Sequence, residues 1–179
     1  MSRLLFVFNA RSGKAQIKNQ LVDIIDLFVK AGYEVTVHPT QDRLDAFNVL
    51  RDQGNNYDLV VCSGGDGTLN ETVSGMMAGG IKTRLGYIPT GTTNDFATSL
   101  GISKNMLQAT NTIISGVDFN CDVGSFNDSY FTYISAFGAF TEVAYQTPQQ
   151  TKNILGHLAY VLEGIKRLSS IKTYHMEIQ

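Results

Sequence analysis

Tryptophan is absent from this 179-residue chain, proline and histidine occur three times each, and cysteine occurs twice. Cys62 and Cys121 lie far apart and form no Cys-x-x-Cys pair. Both fall in apolar, strand-like stretches and are expected to be buried free thiols in a reducing cytosol. His38, His157 and His175 show no ligand spacing with one another or with cysteine, so a zinc site has no support. No apolar run approaches the roughly 20 residues that span a bilayer. The amino terminus, Met1 to Phe8, carries one basic residue and too short an apolar stretch for a secretion signal, and reads as a first strand. A basic excess is missing too. Fourteen Lys and Arg face sixteen Asp and Glu, a formal net charge of −2, which disfavours nucleic acid as a partner and leaves any acidic ligand to a local site.

Apolar patterning is present in abundance. A hydrophobic share of 43% with mean hydropathy of −0.04 belongs to a globular protein rather than a disordered one. Strand-like runs at residues 4–8, 34–38, 58–63 and 84–88 alternate with helical patterns, which predicts an α/β fold with a parallel sheet. Ile17, Leu21, Ile24, Ile25, Phe28 and Val29 mark the first helix, stopped by Gly32. Asp42 is expected to cap a second helix carrying Leu44, Phe47 and Leu50. A third is expected to start near Leu69 and a fourth to cover residues 105–115. Beyond about Gly116 the texture changes to strands at 118–125 and 129–137 with a turn at Asn127-Asp128, a helix at 153–168 and a strand at 172–178. That helix, with Lys152, Lys166, Arg167 and Lys172 around its ends, reads as core packing ahead of a lipid-facing surface.

The polar, glycine-containing segments follow strands. They are residues 9–14, Pro39-Thr40, residues 64–68 and residues 89–95. In an open parallel sheet ligands bind at the carboxyl ends of the strands, so these four loops can line one crevice. Asn9-Ala10-Arg11-Ser12-Gly13-Lys14 supplies a hydroxyl, a flexible backbone and a cation, yet it departs from a P-loop, and alone it reads as an ordinary strand-to-helix turn. Gly64-Gly65-Asp66-Gly67-Thr68-Leu69-Asn70-Glu71 lacks the last glycine of the dinucleotide fingerprint. A helix cap at Asp66 explains one aspartate there, but not the glycines packed with Thr68, Asn70 and Glu71. Asp66 and Asp95 in one crevice suit hydrated Mg²⁺ beside a triphosphate.

Taken together, Asn9-x-x-Ser12-Gly13-Lys14, the residue 64–71 loop and Ile88-Pro89-Thr90-Gly91-Thr92-Thr93-Asn94-Asp95-Phe96 resemble the catalytic domain of the diacylglycerol kinase family, especially its soluble bacterial members. Asp122-Val123-Gly124, residues 130–138, Gln146-Thr147-Pro148 and residues 156–160 look similar as well. The Pro-x-Gly-Thr-x-Asn-Asp element sets this family apart from others that share Gly-Gly-Asp-Gly. The resemblance implies an amino-terminal α/β domain of the NAD kinase and phosphofructokinase type, residues 1–117, followed by the incomplete start of a β-sandwich domain, residues 118–179.

The implied activity is ATP-dependent phosphorylation of diacylglycerol to phosphatidic acid, with Mg²⁺. By resemblance, the nucleotide contacts are Asn9, Ala10, Arg11, Ser12, Gly13, Thr40, Gly65, Asp66, Gly67, Thr68, Leu69, Asn70, Glu71 and Thr92. Asp66, Asp95 and Asp122 are implied to hold the metal through water. Ala10 stands where family members usually carry proline, a change that removes only a fixed φ. The general base is implied to lie beyond Gln179, so no catalytic residue is assigned within the chain, and residues 1–179 alone are expected to bind nucleotide weakly or not at all and to be an inactive fragment. The implied setting is cytoplasmic, in peripheral contact with the inner face of the cell membrane where the lipid substrate lies. A second domain cut short would expose sheet edges and invite self-association into a homo-oligomer. An NAD kinase-like phosphotransferase and a non-catalytic nucleotide-binding module are the alternatives.

Overall fold

The structure is a computed structural model that describes residues 1–127 and 129–135. Four strands, β1 (Ser2–Phe8), β2 (Tyr33–Pro39), β3 (Leu59–Gly64) and β4 (Arg84–Pro89), form one parallel sheet in the order β2-β1-β3-β4. The helices are α1 (Ile17–Lys30), α2 (Asp45–Gln53), α3 (Asp66–Ala78), α4 (Asp95–Ser99) and α5 (Met106–Ser115). This is the expected α/β architecture with all four expected strands in place.

Alternation along β1 explains why both sheet faces are covered. Leu4, Phe6 and Phe8 point to one side and pack with Ile17, Ile24 and Phe28 of α1 and Met106 and Ala109 of α5. Leu5 and Val7 point to the other side, against Ala46, Val49 and Leu50 of α2 and Met76 of α3. Successive side chains of a strand alternate faces, so an unbroken apolar run is what a doubly covered strand requires. The chain moves from β1 outward to β2 but from β3 outward to β4. The sheet therefore has its topological switch between β1 and β3, the place where such folds bind ligands.

Two helix starts differ from expectation. Asp42 does not cap α2, because Leu44, held in the left-handed region at φ 65°, occupies the cap position with no side-chain cap bond. The third helix begins at Asp66 rather than Leu69, since Leu69 N–H already closes the first turn on Gly65 O at 3.1 Å. Asp66 is thus inside the helix, and extended Gly65 is its cap residue. Asn105 does cap α5, its side chain accepting from Gln108 N–H at 3.0 Å.

One compact unit runs from Met1 to Tyr133, and a second from Ile134 to Gln179. The first includes the short antiparallel hairpin of β5 (Gly124–Phe126) and β6 (Ser129–Phe131), whose β6 strand lies against α3. The hairpin expected to open a second domain after residue 117 is therefore part of the first unit. Its strands are shorter than the expected 118–125 and 129–137, because residues 116–123 are irregular and pairing ends at Phe131. The expected helix at 153–168, the strand at 172–178 and the family-like stretches beyond residue 135 lie outside the described residues.

Cys121 falls in that irregular stretch and is exposed, contrary to the expectation of a buried thiol, whereas Cys62 on β3 is fully buried. Burial pushes the Cys62 thiol up to about 12. A thiol held protonated is a poor nucleophile. In mildly alkaline buffer one of the two cysteines is expected to react rapidly with a thiol reagent, and the second only after unfolding. Mass mapping that finds Cys62 labelled first would contradict this burial.

Candidate functional site

The ladder of the sheet continues past the strands and sets the starting points of the loops. Asn9 N–H donates to Ser63 O, Thr40 N–H to Phe8 O, and Thr90 N–H to Gly64 O, each at 2.9 Å. Because the strands are parallel, the four loops leave from the same edge of the sheet, as their positions in the sequence required.

Glycine then decides how closely three of these loops approach. A Cβ on Gly91 would stand 2.5 Å from the Cα of Gly65 and 2.7 Å from Asn94 Oδ1. A Cβ on Gly13 would run into the carbonyl oxygen of Thr90, and Gly13 also has φ 52°, a region side chains disfavour. The loops after β1, β3 and β4 therefore meet backbone against backbone. Gly67 is exposed with open space around an added Cβ, so the first turn of α3 faces free volume.

That first turn is a set of donors. The opening N–H groups of a helix have no partner within the helix, and Gly65, the cap residue of α3, has no side chain to offer them. Asp66, Gly67 and Thr68 thus present N–H groups beside the glycine junction, with the positive end of the helix dipole behind them. The Asp66 carboxylate turns across the junction and accepts from Asp95 N–H at 3.3 Å and Phe96 N–H at 3.4 Å. It ties the β3 loop to the start of α4 through two long hydrogen bonds.

The remaining expected contacts divide by position. Asn9 Oδ1 accepts from Arg11 N–H at 2.9 Å, folding the first loop, and its Nδ2 lies 3.5 Å from Thr68 Oγ1. Ser12 is buried under that loop, Ala10 packs partly against the core, and Arg11 is exposed. Thr40 sits half-buried at the end of β2, while Thr92 and Asp95 are exposed. Asn70 and Glu71 are half-buried on α3. Leu69 points into the core at 1% exposure and its N–H is taken by Gly65 O, which leaves neither group to a ligand. Asp122 is exposed in the irregular stretch before β5, and among the described residues no three His, Cys, Asp or Glu side chains group as a metal cage.

Two residues outside the expected contacts shape the junction. Asn94, 3% exposed, donates from Nδ2 to Gly91 O at 2.8 Å and accepts at Oδ1 from Gly91 N–H at 2.9 Å. It does so with φ 56°, and asparagine is among the few residues that tolerate that region. Gly91 is the other. A turn needing both close approach and a left-handed residue is signalled in sequence by the Gly91-x-x-Asn94 pair, though not its partner loop. Asn94→Ala is expected to lower stability by about 1–3 kcal/mol, because it strands two polar groups of Gly91. Urea unfolding reads the loss, and an unchanged midpoint would contradict the role.

Burial also holds the Tyr87 phenol above its ordinary range, and its hydroxyl donates to Gly64 O at 3.1 Å.

The chain matches the family model described as the diacylglycerol kinase catalytic domain over residues 3–126. It is 39% identical over 181 residues to a diacylglycerol kinase of Bacillus subtilis (strain 168), covering 100% of this chain and 60% of that protein. A Staphylococcus aureus (strain bovine RF122 / ET3-1) diacylglycerol kinase is 38% identical over 178 residues, covering 99% and 56% respectively. The structure of this chain is similar to the crystal structure of a diacylglycerol kinase from Bacillus anthracis str. Sterne, with a TM-score of 0.67, 27% identity, and coverage of 73% of this chain and 45% of that one. The chain thus spans between about half and three-fifths of the length of the curated relatives it matches.

Proposed function

Because the chain belongs to the diacylglycerol kinase family, through a catalytic-domain match that covers most of its length, we propose that it serves phosphoryl transfer from ATP to the hydroxyl of diacylglycerol, giving phosphatidic acid. The observation that carries this reading is the meeting of three glycine loops at the uncapped start of α3. Phosphoryl transfer asks the protein mainly for position and charge neutralisation. The N–H groups of Asp66, Gly67 and Thr68 are donors of the kind that grip phosphate oxygens without reorganising. Glycine at 13, 65 and 91 lets those donors come close to a phosphate by keeping side chains out of the junction.

The donor set also fits Mg²⁺ held through water. That ion keeps several waters and needs only one or two carboxylates beside substrate phosphates, and Asp66 and Asp95 lie at the junction. When bound it spreads the charge that develops on the transferred phosphoryl group. Asp122 is proposed as a third member. No described residue is given the task of taking the alcohol proton, and residues 1–179 alone are proposed to turn over little. The lipid substrate would place the protein at the inner face of the cell membrane as a peripheral, cytoplasmic protein; among the described residues no helix is long and apolar enough to cross a membrane. Self-association into a homo-oligomer is a further part of the reading.

The deciding experiment supplies MgATP with either dispersed diacylglycerol or NAD to the protein at the length of its relatives. Labelled phosphatidic acid is the expected product. Phosphate on NAD, or on neither acceptor, would overturn the reading. Activity of residues 1–179 equal to that of the longer protein would overturn the claim that they turn over little alone.

A further inference from the structure

Gly64 and Gly65 pose a problem that the glycine junction does not solve by itself. Two successive glycines rotate freely, so the peptide between them has little intrinsic preference for one orientation. Since a peptide is planar, whatever holds the Gly64 oxygen also fixes the direction of the Gly65 N–H. Thr90 N–H holds that oxygen from the neighbouring loop at 2.9 Å. The second bond comes from inside the fold, where the Tyr87 hydroxyl reaches it at 3.1 Å.

Tyr87 lies on β4 and is 6% exposed, so its hydroxyl has no competing bulk water. Its ring packs against Phe96 with centroids 6.4 Å apart, and Phe96 N–H is one of the two donors to the Asp66 carboxylate. A single side chain therefore braces both ends of the tie, the Gly64 carbonyl through its oxygen and the start of α4 through its ring. A tyrosine that only filled space here would pack equally well as phenylalanine, without a buried hydroxyl to satisfy.

We propose that Tyr87 is a positioning residue of the phosphate cradle, holding the Gly64-Gly65 peptide in the orientation that the first turn of α3 needs to receive a nucleotide phosphate. This deepens the proposed function and rests on it.

Tyr87→Phe isolates the hydroxyl, because the ring contact with Phe96 and the Thr90 bond both survive. Amide hydrogen exchange of the protein at the length of its relatives, with and without MgATP, reads the effect. Without nucleotide, the variant is expected to exchange several-fold faster at Gly65 to Thr68, while core amides such as Leu5 and Val60 and the melting temperature stay put. With MgATP, the wild-type loop is expected to slow, and the variant to need several-fold more MgATP for the same protection. Unchanged exchange in the variant loop would overturn the inference, as would faster exchange spread evenly over the core. A wild-type loop that ignores MgATP would overturn the nucleotide reading itself, and with it the role assigned to Tyr87.

Discussion

In the protein at the length of its relatives, Gly13→Val is expected to abolish the response to MgATP and to lower folding stability by about 2–5 kcal/mol, since it combines a left-handed residue with an overpacked contact. The reasoning is steric. Gly13 has φ 52°, where a β-branched residue is strongly disfavoured, and its Cβ would meet the Thr90 carbonyl oxygen, a backbone atom that cannot swing aside like the end of a side chain. Either the loop after β1 flips to another conformation or it parts from the loop after β4. Both outcomes open the junction. Urea unfolding reads the stability term, and a nucleotide titration reads the cradle. Gly32→Val is the matched control, because that position is also left-handed, at φ 92°, but has open space around an added Cβ and lies away from the junction. Equal losses of nucleotide response in the two variants would mean that the close approach of the loops does not govern binding.

How far the sequence showed this arrangement depends on the distance over which each determinant acts. The sheet and its layers were legible because an apolar run such as Leu4 to Phe8 can be buried on both sides only in a covered parallel sheet. The four loops were legible as a group because parallel strands must send their carboxyl ends to one edge. Helix starts were less so. Asp42 and Asp66 look like caps, but Leu44 and Gly65 take those places.

The least legible features are contacts between loops. Nothing near Gly91 announces that Gly65 will be pressed against it, and nothing in β4 announces that the Tyr87 hydroxyl will reach Gly64 O. Leu69 shows the converse. Set among polar loop residues it reads as part of a binding segment, yet helical spacing from Val73 and Met76 turns it inward. Cys121 shows the limit of apolar context, because its run never acquires a strand partner among the described residues and the thiol stays at the surface.

The second large effect concerns Asp66. In the protein at the length of its relatives, Asp66→Ala is expected to cut diacylglycerol phosphorylation by roughly 100-fold to 1,000-fold, the range seen when one preorganised charge-stabilising group is lost. Two roles are removed together: the acceptor for Asp95 N–H and Phe96 N–H, and the negative charge beside the junction. Asp66→Asn separates them, because an amide oxygen still accepts from the start of α4 while the charge is gone. If the charge holds Mg²⁺ through water, Asn should be nearly as inactive as Ala, with the loops still protected in hydrogen exchange. Substantial activity in Asp66→Asn would instead make the carboxylate a structural tie, and would remove the main support for a metal role.

Nucleotide phosphate seated at the junction has a direct spectroscopic consequence. Amide chemical shifts of the isotope-labelled protein at the length of its relatives, followed through a titration to millimolar MgATP, should move saturably at Gly13 and at Gly65 to Thr68. The same amides should respond to inorganic triphosphate and stay still with adenosine, because the donors are backbone N–H groups aimed at phosphate. Shifts confined to other parts of the chain, or a titration that leaves the amides of Asp66, Gly67 and Thr68 unmoved, would contradict the assignment of this junction as a phosphate cradle.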